Sequence, residues 1–184
     1  MRRIILAMAI AATGTLGVAI AVSTVVSTSA AAAKHKAKPK PKRPVATVRN
    51  FNSCSVVNQA EATRAIGASV TAGVLGNATV EGGLACVFYG PSAPTPTTPN
   101  TAQPDTVRVV VVKGSDALKW FNDYKSKVNA QAITGYGNQA YYDGFASLSV
   151  LKGDYYLRIA VSPADAPPSL ADEEQLATAI LPKL

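Results

Sequence analysis

Gly153-Asp154 separates two runs, 146–152 and 155–161, in which residues alternate between two faces. A two-residue link containing glycine is a hairpin signal, and it sets the register of the strands on either side. Lys152 then faces Tyr155, and the pairs run outward as Val150 with Leu157, Leu148 with Ile159 and Ala146 with Val161. The opposite face receives Leu151 with Tyr156, Ser149 with Arg158 and Ser147 with Ala160. A slip of one residue would turn every side chain to the wrong face, so the agreement between turn and pattern is a strong constraint. Asp143-Gly144 predicts a second two-residue turn, with Tyr141 opposite Ala146 on the core face and Tyr142 beside Phe145 on the other. The chain must build a twisted antiparallel sheet.

Around that hairpin the pattern predicts an α+β fold: a two-layer antiparallel sheet with helices on one face. The predicted order is helix, three strands, helix, three strands, helix. Asn58-Gln59-Ala60-Glu61 has the form of a capping box, with Ala62, Ala65 and Ile66 inward and Gly67 as a left-handed terminator. Residues 70–80 suit a Gly-rich strand or hairpin edge, 84–89 a buried strand and 107–113 the strongest strand. Ser115 is placed to cap a second helix carrying Leu118, Phe121, Tyr124 and Val128 at helical spacing. Ser169, with Asp172 three residues on, opens a third helix with Leu176, Ala177 and Ile180 inward, and Pro182 stops it. Between the second and third strands, 90–106 carries five prolines and reads as a loop.

The first thirty-three residues read as an export signal. Arg2-Arg3 precede an uncharged apolar run over 4–26, and Ala31-Ala32-Ala33 offers a cleavage site before Lys34. The run is long enough to span a bilayer, so a retained signal anchor is the alternative. The cations that follow it weigh against the anchor, because they would favour keeping the domain in the cytoplasm. Arg2-Arg3 also hints at a twin-arginine signal. Residues 34–49 form a basic Lys/Pro linker: Lys34, Lys36, Lys38, Lys40, Lys42, Arg43 and Arg49 with no acid. Prolines at 39, 41 and 44 make it an extended spacer. The first six of these cations are a candidate tether to an anionic cell-wall polymer or lipid headgroups. From Asn50 onward, nine cations meet eleven acids in a single domain, 50–184. The formal charge of +7 therefore belongs to leader and linker, and nucleic acid is not an expected partner.

An exported chain meets an oxidising compartment, so Cys54 and Cys86, the two cysteines, are expected to form a disulfide. Phe51-Asn52-Ser53 is a poor lipobox, which argues against a lipid on Cys54. Several segments resemble a domain of actinobacterial exported proteins and lipoproteins of unknown function: Cys54-Ser55-Val56-Val57, Ala60-Glu61-Ala62, Cys86-Val87-Phe88-Tyr89, Gly135-Tyr136-Gly137-Asn138-Gln139-Ala140-Tyr141-Tyr142, Leu148-Ser149-Val150-Leu151-Lys152-Gly153-Asp154 and the closing residues 176–184. The resemblance implies an envelope location, often with a lipid anchor, and assigns no catalytic residue. This chain departs from it by its Pro/Thr loop and by lacking a lipobox.

The absent chemistry narrows function further. His35, the one histidine, lies in the linker, so the domain has no imidazole base or ligand. Paired cysteines leave no thiolate nucleophile. Asp143 and Asp154 read as turn residues before they read as a catalytic carboxylate pair. Asp172, Glu173 and Glu174 suit a helix N-terminus before they suit calcium. Gly135-x-Gly137 lacks the Lys-Ser/Thr of a phosphate loop, and Asn77-Ala78-Thr79 is a formal glycosylation acceptor. No enzyme, cofactor or metal is expected. The expectation is a non-catalytic envelope binding or accessory module. The alternatives are an extracytoplasmic interaction partner of sensor or inhibitor type, or a hydrolase using carboxylates alone. With all helices on the Val150/Leu157 face, the other face would present Tyr89, Arg108, Tyr156 and Arg158, with Val87, Val110, Val112 and Leu151, as a candidate binding platform.

Overall fold

Asn58 opens the first helix by the reciprocal bonds of a capping box. Its side-chain oxygen accepts from the Glu61 amide at 2.9 Å, and the Glu61 carboxylate accepts from the Asn58 amide at 2.9 Å. Helix α1 (Gln59–Ile66) ends at Gly67, whose φ of 74° is the left-handed cap that glycine adopts without strain. The computed structural model describes residues 50–94 and 102–184. The expected export signal, the expected basic linker and the centre of the Pro/Thr loop lie outside the described residues.

The strands are β1 (Val74–Ala78), β2 (Gly83–Tyr89), β3 (Thr106–Lys113), β4 (Gln131–Ile133), β5 (Gln139–Tyr142), β6 (Leu148–Lys152) and β7 (Tyr155–Ser162). Helix α2 (Ala117–Lys125) follows β3, and α3 (Leu170–Ile180) follows β7. All neighbours pair antiparallel in the order β1-β2-β3-β7-β6-β5-β4. The β6–β7 hairpin has the register its turn dictates: Lys152 opposite Tyr155, Val150 opposite Leu157, Leu148 opposite Ile159, Leu151 opposite Tyr156 and Ser149 opposite Arg158. The fold is α+β.

Several finer expectations are corrected. The helices cover both faces of the sheet. Helices α1 and α3 pack with Val107, Val109, Val111, Val150, Leu157 and Ile159, whereas Ala117 and Phe121 of α2 pack with Val110, Val112, Tyr141 and Tyr156. Alternation along β3 explains this: both sets of valines are buried, so each face requires a cover. Four strands follow α2, because the short β4 adds to the predicted three. Asp143-Gly144 is not a two-residue turn. Tyr141 pairs with Ser149 and Tyr142 with Leu148, which moves Tyr141 to the α2 face. The Asp143 carboxylate causes the wider loop, since its Oδ1 accepts from the amides of Phe145, Ala146 and Ser147 at 3.0, 2.8 and 2.9 Å.

The ends of elements also differ. Of residues 70–80, the segment 74–78 enters the sheet. Asp116 rather than Ser115 precedes α2 and makes no side-chain cap bond, and Leu118 points to solvent. Ser169 does occupy the N-cap of α3, without a cap bond from its hydroxyl. Helix α3 ends at Ile180 and passes into a 3-10 turn, Leu181–Lys183, that contains Pro182.

Cys54, in a 3-10 turn over Ser53–Ser55, is bonded to Cys86 on β2, with Cα atoms 5.0 Å apart. The turn is also held by Ser53, whose buried hydroxyl donates to the Leu84 carbonyl at 2.5 Å and accepts from the Val111 amide at 2.9 Å. Leu84 and Val111 are opposite one another in β2 and β3, so this side chain stands within the ladder. The two attachments fasten the start of the fold across the α1 face of the sheet.

Candidate functional site

Arg108 on β3 and Arg158 on β7 point to the α2 face of adjacent strands, where Arg158 is opposite Val110. Two guanidinium groups held between a sheet and a helix require anionic partners. Glu81, from the turn between β1 and β2, supplies the first. Its carboxylate takes Arg108 Nη1 at 2.6 Å and Nη2 at 2.9 Å, and its Oε1 also takes Arg158 Nη1 at 2.6 Å. The bidentate Arg108 pair is the geometry that matches a planar guanidinium to a carboxylate. The turn reaches this position because Gly82 lies flat against Trp120 of α2, where a Cβ would come within 1.9 Å of the indole.

Asp143 supplies the second acid. Its Oδ2 accepts from Tyr124 Oη at 3.0 Å and from the Ser147 hydroxyl, and stands 3.7 Å from Arg158 Nη2. Arg158 further donates Nε to Ser147 Oγ at 2.9 Å and Nη2 to Tyr124 Oη at 2.5 Å. Its guanidinium carbon lies 3.8 Å from the centre of the Tyr124 ring, a cation–π contact. The network therefore joins the β1–β2 turn, α2 and the β5–β6 loop to the two central strands.

The protonation states follow from these contacts. Burial pushes the Glu81 carboxyl up, but the Arg108 hydrogen bond and the charges of both arginines outweigh it and hold the pKa low. Burial likewise opposes Asp143, whose pKa is lowered by the Ser147 hydroxyl and the three backbone amides. Burial lowers Arg158, yet the charge of Glu81 leaves its pKa raised. Burial raises Tyr124, carries Tyr141 up to about 12 and raises Tyr156 well above its ordinary value. Acids held ionised and phenols held neutral have no proton to exchange near neutrality.

The expected platform is assembled on one face but closed. Tyr89, Arg108 and Tyr156 are all buried, and the side chain of Arg158 is 13% exposed. Tyr156 meets Phe121 of α2 edge to face, with ring centroids 5.8 Å apart, so it has no face free to stack on a ligand. The Tyr89 hydroxyl is buried without a hydrogen-bond partner among the described residues. Glu81, Tyr124, Asp143 and Ser147 are the site residues that sequence reasoning did not bring together. The available signal was the pair of inward arginines, which demanded counter-charges.

The remaining candidates fall apart in space or serve the fold. Asp154 is exposed in its turn, remote in role from the enclosed Asp143. Asn138, in the Gly135-x-Gly137 segment, accepts from the Gly153 amide at 2.6 Å and so braces the β6–β7 turn. Gly137 approaches the Leu151 carbonyl so closely that a Cβ would lie 2.4 Å away. Glu173 turns into the core beneath α3, while Asp172 and Glu174 are part-exposed. The Glu173 Oε1 lies 3.5 Å from the Val161 amide and its Oε2 has no partner among the described residues. Among the described residues no three acids, cysteines or histidines are grouped to hold a metal, and no helix is long and apolar enough to cross a membrane. The tether candidates Lys34 to Arg43 lie outside the described residues.

No family model, curated protein or solved structure matches this chain.

Proposed function

We propose that this chain is an exported, non-catalytic module of the cell envelope, acting as a binding or accessory protein. The observation that carries the reading is how the charged groups of the domain are used. Glu81, Asp143, Arg108 and Arg158 neutralise one another around Tyr124, and the Cys54–Cys86 bond leaves no thiol. A cross-link of this kind persists in oxidising compartments, which supports export by the leader over residues 1–33. Envelope contact then falls to the linker cations Lys34, Lys36, Lys38, Lys40, Lys42 and Arg43, with anionic cell-wall polymer or lipid headgroups as partner. Nucleic acid is disfavoured by the domain's own excess of acids. The carboxylate-only hydrolase has little support, because Asp143 is committed to backbone amides and held ionised.

Replacing those six cations with Ser in the exported protein tests the proposal. Sedimentation with cell-wall fractions at low salt should fall at least tenfold and should already weaken for the parent protein as salt rises. Retained sedimentation would sink the tether. It would favour the second reading, an interaction partner of sensor or inhibitor type. Phe145 supports that alternative: it is 81% exposed at the tip of the loop braced by Asp143, beside a groove of about 330 Å³ lined by Pro104, Pro163 and Pro168.

A further inference from the structure

We infer that the free edge of β1 is a self-association surface, and that its occupant is β1 of a second copy paired antiparallel to form one continuous sheet. Strand β1 ends the sheet, bonding to β2 on one side and to no strand on the other among the described residues. Its outward amides and carbonyls form a template for another strand. Proteins ordinarily blunt such an edge with lysine, proline or a bulge. This one has none of those residues: 68–80 reads Ala-Ser-Val-Thr-Ala-Gly-Val-Leu-Gly-Asn-Ala-Thr-Val, without a charge or a proline. Instead Val74, Leu75 and Val80 are 42%, 41% and 45% exposed, so three of the five exposed large apolar side chains among the described residues gather at this edge and its turn.

The choice of a second copy rests on charge and symmetry. A twofold antiparallel pair brings identical strands together, so any charge near its centre meets itself, and like charges directly opposite destabilise. An uncharged strand avoids that repulsion whatever its register, and β1 is uncharged over its full length. About a twofold at Leu75, this side chain of one copy lies directly against the same side chain of the other, and Val74 of each copy faces Gly76 of its partner. The contact is isologous and closes at two copies, using up the edge that would otherwise recruit further chains. The other edge, β4, has three residues and is a poorer template. Pairing through β1 leaves the arginine network and the linker cations uninvolved, so this inference stands apart from the envelope reading.

Sedimentation velocity of the exported protein over a concentration series should show a reversible monomer–dimer equilibrium. Leu75→Lys should weaken the dimer at least tenfold, with an unfolding midpoint within a few degrees of the parent, since this side chain is exposed. Leu75→Glu should weaken it similarly, and an equimolar mixture of the two variants should recover a heterodimer. Hydrogen exchange of the unaltered protein supplies a readout that needs no variant: the outward β1 amides should gain protection as concentration rises. A monomer throughout the series would overturn the inference. So would a dimer indifferent to Leu75→Lys, or one lost on Phe145→Ser instead.

Discussion

Glu173 is the residue whose chemistry departs most from its surroundings. Burial pushes its carboxyl from 4.5 up to about 8; the Val161 amide and the Arg158 charge pull it down, while Asp143 and Asp172 add to the rise. Folded protein therefore holds a proton that unfolded chain has released between those two values, and stability falls as pH rises through the interval. Tyr142 is a further titrating group that feels its charge, and its own pKa is raised, so it stays neutral there. Glu173→Gln keeps a neutral side chain of the same shape. Urea unfolding at pH 5 and pH 8 should show the parent losing roughly 2–4 kcal/mol from this group and the variant losing much less. Equal slopes in both proteins would mean that Glu173 is ionised in the core. Neither this burial nor the arginine network was fully legible in the sequence. Alternation put Arg108 and Arg158 on one face, but Glu81 comes from a turn whose path periodicity does not describe. Likewise an acid in the first turn of a helix reads as a dipole partner until the helix is rotated against its sheet.

Among the elements, legibility followed the locality of the determinant. The β6–β7 register and the α1 cap are set by residues adjacent in sequence, so turn and cap rules were enough to read them. The loop between β5 and β6 begins with equally suggestive residues, yet Asp143 bonds three amides at once and the hairpin opens wider, reversing the face of Tyr141. Tyr124 and Arg158 complete the carboxylate's coordination from distant segments, which local rules do not see. The β5–β6 loop should therefore depend on Asp143 far more than the neighbouring hairpin does. In Asp143→Ala, the Phe145, Ala146 and Ser147 amides lose their acceptor, and Arg158 loses one of its acids. Their hydrogen exchange should speed by at least tenfold while the β6–β7 amides keep most of their protection. Uniform loss across both hairpins would show instead that the carboxylate supports the whole sheet, as a buried ionic partner can.

At the scale of the molecule, the seven-stranded sheet has two covered faces, and what the sequence concealed was the placement of α2. An amphipathic helix declares which of its own sides is buried, not which side of a sheet it will cover. The valines of β3 carried the missing information, since their continuous run suits a strand enclosed on both sides. The cross-link was easier to anticipate, because one pair of cysteines has one internal pairing, and its consequence can be measured. Cys54 lies ahead of α1 and Cys86 lies in β2, so the bond closes a loop that includes α1 and β1. In the chain-entropy account such a closure stabilises by about 3–4 kcal/mol through the unfolded state. Cys54→Ser and Cys86→Ser each remove the same constraint. Their unfolding free energies should fall by similar amounts, and the double variant by little more than either. Ser53 still bridges Leu84 and Val111 without the bond, so each variant should fold at 25 °C. Additive losses, or a reactive thiol in the parent protein purified under oxidising conditions, would show that the two cysteines act separately.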